Sequence, residues 1–409
     1  MLAQLTATLN DWLYTYILVI LLIGAGLYFS IRTRFVQFRL LGEAFRVVRE
    51  KGDGGVSSFQ ALMVSTASRV GTGNIAGVSA ALCLGGVGAV FWMWVIALLG
   101  GASAFVESTL AQIYKVHDGR GGSRGGPAYY IEAAVGSRWL AALFAVLLIL
   151  TYMVGFNLVA SFNLVDSFAG YSFFDSRTPL IAGAVLALVT ALCIFGGGER
   201  LTSITSVLVP VMGGTYVLMA LVMIVLHLEL VPGVLAAIFE NAFDFQAIFG
   251  GFTGSAMMYG IKRGLYSNEA GVGSAPNAAA AADVSHPVKQ GLVQMLSVFI
   301  DTLLICTATA LMCMCSGVEP TAELAGAPFV QKAVSTVLGS LGPVFVTVAM
   351  VLFAFTTLLG NLYYVDNALA FINRKMPSKQ FMTVFRLICA AAILIGAAMS
   401  MDAAWAVAD

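Results

Sequence analysis

Apolar residues along this chain collect in long runs broken by short polar stretches. A helix needs about 17–25 mostly apolar residues to cross a bilayer. Ten runs of that kind are read near residues 12–31, 57–84, 89–115, 139–165, 179–197, 202–228, 247–263, 289–316, 342–373 and 381–401. The piece PGVLAAIFENAFDFQ (232–246) is too short to span and is expected to lie along one surface. No long linker or soluble domain separates the runs.

Two runs carry a pattern that a continuous membrane helix avoids. In the second, Val70-Gly71-Thr72-Gly73-Asn74 falls near the middle of the span; in the seventh, Gly250-Gly251-Phe252-Thr253-Gly254-Ser255 does the same. Glycine lets the backbone unwind, and the freed N–H and C=O groups are costly in hydrocarbon unless protein, water or a ligand satisfies them. The two breaks lie five segments apart in oppositely directed helices. Paired, Gly-interrupted segments in corresponding halves point to an inverted-repeat transporter with a midplane site. Glycines also serve close helix packing in membranes, which is the reading for Gly85, Gly100 and Gly101 and an alternative for the breaks.

Composition agrees with the pattern. Of 409 residues, 59% are hydrophobic and only 10% charged, far below the charge content of a soluble domain. Equal numbers of basic and acidic residues give no hint of nucleic acid as a partner. Basic residues test the segment count through the positive-inside rule. Eighteen of the 21 fall in alternate loops, beginning with the one after the first segment, which holds Arg32 to Lys51. Another of these loops is expected to carry Lys262, Arg263 and Lys289; the opposite loops hold only Arg177 and Lys332. Both termini are therefore expected outside. The N-terminus lacks the basic region of a cleavable signal, and the abrupt ending SMDAAWAVAD suggests that further residues follow. The six cysteines lack metal-type spacing and read as small core residues.

Four stretches together carry a family resemblance: VGTGNIAGV (70–78), GGVGAVFWMWVIALLG (85–100), GGPAYYI (125–131) and KRGLYSNEAGVGSAPNAAAAA (262–282). They resemble the signatures of the alanine or glycine:cation symporter family, and they are spread over most of the chain. The resemblance implies an all-α polytopic membrane protein of the amino acid–polyamine–organocation superfamily. Its fold is a five-plus-five inverted repeat with one extra N-terminal helix and two discontinuous helices. Residues 12–31 would form the peripheral helix, 57–228 the first repeat and 247–409 the second, with an eleventh helix expected after Asp409. The expected activity is sodium-coupled import of a small neutral amino acid by a monomer in a prokaryotic inner or plasma membrane. Proton coupling through Asp301 or Glu107 is the alternative.

An amino acid zwitterion needs donors for its carboxylate and acceptors for its ammonium, which half-helix ends supply without charged side chains. The resemblance implies that the backbone amides of Thr72, Gly73 and Asn74 bind the carboxylate. It gives the ammonium to the second break, Gly251, Thr253, Gly254 and Ser255. Sodium, a hard cation, takes several oxygen ligands. By the same resemblance these are the hydroxyls of Thr356 and Thr357 and the carbonyls of Ala67, Val70 and Phe353. Composition alone leaves the two threonines open, because a membrane threonine commonly bonds to its own i−4 carbonyl. Asn74 is open between a second cation and capping of the broken helix. Two departures from the family pattern bear on substrate size. Gln-x-Asn is replaced by Ala160, Ser161, Phe162 and Asn163, and a Trp by Asn361; with Ala160 and Asn361 the pocket is expected to admit glutamine or serine as well as alanine and glycine.

Arg69 and Asp301 lie about 12 residues from their segment ends, roughly 18 Å deep at 1.5 Å per residue. Glu107 and Asp366 lie shallower. Such charges pair structurally or gate a pathway, and an Arg69–Asp301 pair is the specific expectation. Asp166 is expected to be solvated. The chain has no metalloenzyme His/Glu motif, no Ser-His-Asp signal and no paired intramembrane aspartates at matching spacing. DGRGGSRGG (118–126) lacks the Gly-Lys-Ser/Thr of a phosphate loop. No enzyme or catalytic cofactor is expected.

Overall fold

The computed structural model describes residues 11–50, 55–117, 122–194, 197–243 and 255–408, most of them helical. Its elements follow the apolar runs. They are α1 (Val19–Arg32), α2 (Leu41–Val48), α3 (Ser58–Arg69), α4 (Ala76–Ala80), α5 (Ala89–Ile113) and α6 (Arg138–Leu150). Next come α7 (Phe156–Asp166), α8 (Thr178–Ile194), α9 (Gly197–Leu226), α10 (Val231–Ala242), α11 (Ala256–Asn268) and α12 (Ala275–Ala281). The last are α13 (Pro287–Val298), α14 (Thr307–Met314), α15 (Ala327–Leu338), α16 (Leu341–Ile372), α17 (Lys379–Ala397) and α18 (Met401–Ala408). Among the described residues, six helices are long and apolar enough to cross a membrane by length and composition, and shorter apolar helices run over 16–32, 72–85 and 178–193. Leu180, Ile181, Leu188 and Leu192 of α8 are about 60% exposed, as expected of a face turned to lipid.

Local sequence explains the helix starts. Ser57 and Gln60 form a reciprocal capping box at α3. His286 precedes Pro287 at the start of α13, and Ser378 caps α17. The three packing glycines behave as expected. A Cβ at Gly100 would fall 2.6 Å from that of Ala270, one at Gly101 2.9 Å from the Phe299 ring, and one at Gly85 2.5 Å from Cβ of Tyr259.

Several expectations need correcting. The seventh run continues as helix to Asn268, so Lys262 and Arg263 are not loop charges. Arg263 is buried, and its guanidinium stacks over the Trp405 ring at 3.8 Å, a cation–π contact that a membrane interior favours. Asp166 is half-buried rather than solvated: its Oδ2 accepts from the Ala327 N–H at 3.1 Å and ties α7 to α15. The amphipathic α15 was not anticipated. Val116 pairs with Arg124 and His117 with Ser123 in a short antiparallel ladder, and residues 118–121 of the expected turn lie outside the described residues. All six cysteines are free thiols.

Between α13 and α14 the chain winds as π-helix over Phe299–Cys306. π-Helical turns release backbone geometry and recur at functional sites. This one holds Asp301 and Cys306, both of which contact Asn74 of the first break.

Candidate functional site

The break in the second segment is real. Helix α3 stops at Arg69, Val70 turns out of the helix, Gly71 is extended, and a single 3₁₀ turn, Thr72–Asn74, precedes α4. The Gly71 N–H donates to Asn74 Oδ1 at 2.8 Å, and the Asn74 N–H donates to the Gly71 carbonyl at 3.1 Å. In a continuous helix those two N–H groups would serve the carbonyls of Ala67 and Val70. Both carbonyls are thereby released from the helical ladder inside a buried site, which suits them as cation ligands. The Asn74 side chain is therefore a cap, and its own amide is committed to Gly71, so it leaves the proposed carboxylate cradle. The amides of Thr72 and Gly73 have no acceptor among the described residues and remain available.

Helix α16 presses against this break. A Cβ on Gly71 would collide with Thr357 Oγ1, and one on Gly360 would fall 2.6 Å from the Ser68 nitrogen. Only glycine permits that approach. Thr357 Oγ1 donates to the Ser68 carbonyl at 3.4 Å. Thr356 points elsewhere: its hydroxyl donates to Leu352 O at 3.0 Å and Phe353 O at 3.1 Å, and touches Met212 Sδ of α9. Adjacent positions on a helix diverge by about 100°. Of the two threonines, the structure brings only Thr357 to the break, while Thr356 and the Phe353 carbonyl satisfy each other.

The expected substrate side chains divide in the same way. Asn163 Nδ2 donates to Thr72 Oγ1 at 3.1 Å, so α7 does reach the break. Ala160 is fully buried, and Phe162 packs with Val159, Tyr266 and Trp405. Asn361 is fully buried too, with its Oδ1 2.8 Å from Ser68 Oγ and its Nδ2 donating to Asn157 Oδ1 at 3.0 Å. Ser255 caps α11 by accepting from the Met258 N–H. Gly251, Thr253 and Gly254 lie outside the described residues.

Among the deep charges, Asp301 accepts from Asn74 Nδ2 at 2.7 Å, Ser267 Oγ at 2.9 Å and Thr302 Oγ1 at 2.8 Å. The expected Arg69–Asp301 ion pair is not formed. Arg69 donates through Nη1 to the Gln294 carbonyl, while its Nε and Nη2 have no partner among the described residues. It acts electrostatically on Asp301, Glu107 and Glu269 without an ion pair to any of them. Glu107 accepts from the Gly271 N–H, and Asp366 pairs with Arg386 at 3.6 Å.

Glu269 was missed. It ends α11 with φ +51°, is fully buried, and lies within hydrogen-bond reach of Ser68 Oγ at 2.8 Å and Ser274 Oγ at 2.6 Å. The available signal was an acidic residue inside the small-residue stretch SNEAGVGSAPNAAA, obscured by placing the loop at Lys262.

The break thus gathers available amides, freed carbonyls and one converging hydroxyl in one buried place. The family model for the sodium:alanine symporter family matches residues 1–409. The amino-acid carrier protein AlsT of Bacillus subtilis is 45% identical over 402 residues, covering 98% of this chain and 84% of that one. The probable sodium/glutamine symporter GlnT of the same organism is 45% identical over 404 residues, covering 98% and 83%. The sodium/alanine symporter AgcS of Methanococcus maripaludis is 35% identical over 419 residues, covering 99% and 90%. With its entire length matched, the chain belongs to the sodium:alanine symporter family.

Proposed function

We propose that this protein imports a small neutral amino acid together with sodium, by alternating access in the cell membrane. The observation that carries the reading is the first break. It frees the carbonyls of Ala67 and Val70 beside Thr357, and the amides of Thr72 and Gly73 beside Asn163. Sodium sits with the first group and the substrate carboxylate with the second. The ammonium goes to the second break, 251–255. Residues 57–228 and 247–409 form the two inverted repeats, 12–31 the peripheral helix, and the N-terminus faces outward. Membership of a sodium symporter family supports the cation; the relatives named for alanine and glutamine support the substrate class.

The test is uptake of labelled alanine into proteoliposomes. An inward sodium gradient is expected to drive accumulation and an inward proton gradient alone is not. Accumulation driven by protons without sodium would replace this reading with proton symport.

A further inference from the structure

Three buried carboxylates surround the guanidinium of Arg69 electrostatically, so the cluster holds more potential negative charge than positive. Buried like charges in a low-dielectric interior are neutralised by cations or by protons. Hydrogen-bond direction narrows the oxygens on which a proton can sit. The Asn74 carboxamide is oriented by the Gly71 N–H, so its Nδ2 must donate and Asp301 Oδ1 must accept. Glu107 accepts from a backbone N–H, which cannot reverse either. Glu269 has the hydroxyls of Ser68 and Ser274 beside it, as Asp301 has those of Ser267 and Thr302; a hydroxyl can accept as readily as it donates, and Ser68 also faces a second oxygen acceptor.

The chain of contacts beyond Ser68 supplies a count. Ser68 Oγ lies 2.8 Å from Glu269 Oε1 and 2.8 Å from Asn361 Oδ1, both acceptors, yet a serine carries one hydrogen. With Glu269 ionised, that hydrogen serves one oxygen and leaves two others in repulsive contact. With Glu269 neutral, each oxygen contact along Glu269, Ser68 and Asn361 has one hydrogen in it. Glu269 donates to Ser68, Ser68 to Asn361 and Asn361 to Asn157, while Ser274 donates to Glu269 Oε2.

We propose that Glu269 is a proton-binding site that locks the broken second segment to α7, α11 and α16. The proton enters from water and resides on Oε1; its departure leaves a carboxylate that no longer donates to Ser68, and the link through Ser68 to Asn361 and Asn157 comes apart. The other titratable or charged groups facing Glu269 are Arg69 of α3, Glu107 of α5, Tyr152 and Tyr364 of α16. The Tyr152 phenol lies beside Glu269 and Ser274 and the Tyr364 phenol beside Ser68, neither in good hydrogen-bond geometry among the described residues. A pH-gated step in transport follows, and this step rests on the symport reading, whereas the proton site does not.

The test is infrared difference spectroscopy of the purified full chain in lipid nanodiscs, following the carbonyl stretch of a neutral buried carboxylic acid as pH is raised. The band is expected in the unaltered protein, absent in Glu269→Gln, shifted in Ser68→Ala because its acceptor is gone, and retained in Asp301→Asn and Glu107→Gln. Glutamine keeps a donor toward Ser68, so this variant mimics the protonated state and its alanine uptake should lose most of its pH response. A band that survives Glu269→Gln, or disappears in Asp301→Asn or Glu107→Gln instead, overturns the assignment. Should neither Glu269→Gln nor Ser68→Ala fold, lack of any neutral-acid band in the unaltered protein at the pH of transport overturns it as well. Loss of sodium-driven uptake in the unaltered protein with the band intact would sink the symport reading alone.

Discussion

The carboxamide of Asn74 and the carboxylate of Asp301 are joined by a bond of fixed direction. Nδ2 donates to Oδ1 at 2.7 Å while the opposite end of the same amide accepts from the Gly71 N–H. One side chain thus shapes the break and anchors it to the π-helical turn at Phe299–Cys306. Asn74→Leu strands a buried N–H and a buried carboxylate acceptor, at about 1–3 kcal/mol for each neutral group and more for a charge. A markedly lower unfolding temperature in detergent is expected. Asp301→Asn keeps an acceptor for Asn74 and is expected to be far milder in the same assay. Equal destabilisation by the two changes would show that charge, not hydrogen bonding, holds this contact.

Gly71 and Thr357 are complementary in space, since a methyl on the first meets the hydroxyl of the second. Gly71→Ala is expected to cost about 1–3 kcal/mol by overpacking. Thr357→Ala removes the obstructing hydroxyl, so the double variant should regain much of the stability lost by Gly71→Ala. Strict additivity of the two changes would mean that the residues do not share this space.

The same pair of helices separates the two threonines by function. Thr357→Val is expected to weaken activation of alanine uptake by sodium while the protein remains folded. Thr356→Val should leave the sodium dependence nearly unchanged, because that hydroxyl serves its own helix. Titration of uptake against sodium concentration decides it. If both variants lose sodium activation alike, the cation does not select between the two faces of α16.

The sequence made the spans and the first break legible for physical reasons. Apolar runs report helices that need no partner sequence to be recognised, and Gly71 and Gly73 stand out because glycine in a membrane helix needs an explanation. What stayed hidden depended on direction. Thr356 and Thr357 are indistinguishable in composition, and only the helix phase reveals that one meets Gly71 while the other meets Met212. Arg263 reads as a loop cation until Trp405, more than a hundred residues away, provides the ring beneath it. Glu269 was lost through the same misplaced helix end. The Arg69–Asp301 pair failed because Asn74, Ser267 and Thr302 already satisfy the aspartate.

Asn361 is the residue proposed to set substrate size. The family pattern places a bulky ring there, and this chain instead fills the position with an amide buried between Ser68 and Asn157. Two consequences follow from one residue: less bulk beside the break, and an added polar link between α3, α7 and α16. They are separable by substitution. Asn361→Leu removes the link while keeping a modest volume, so it should lower stability by about 1–3 kcal/mol through unsatisfied partners and leave the range of accepted substrates broad. Asn361→Trp, alone or with Ala160→Gln, adds bulk toward the substrate. Forcing extra atoms into a packed site costs about 1–3 kcal/mol or more, roughly ten- to a hundredfold in affinity. Glycine and alanine uptake should therefore persist while competition by glutamine and leucine weakens by that factor. Labelled alanine uptake, competed by each amino acid in the unaltered protein and both variants, measures it. If Asn361→Trp and Asn361→Leu give the same competition profile as the unaltered protein, residue 361 does not border the substrate and its role is confined to the buried link.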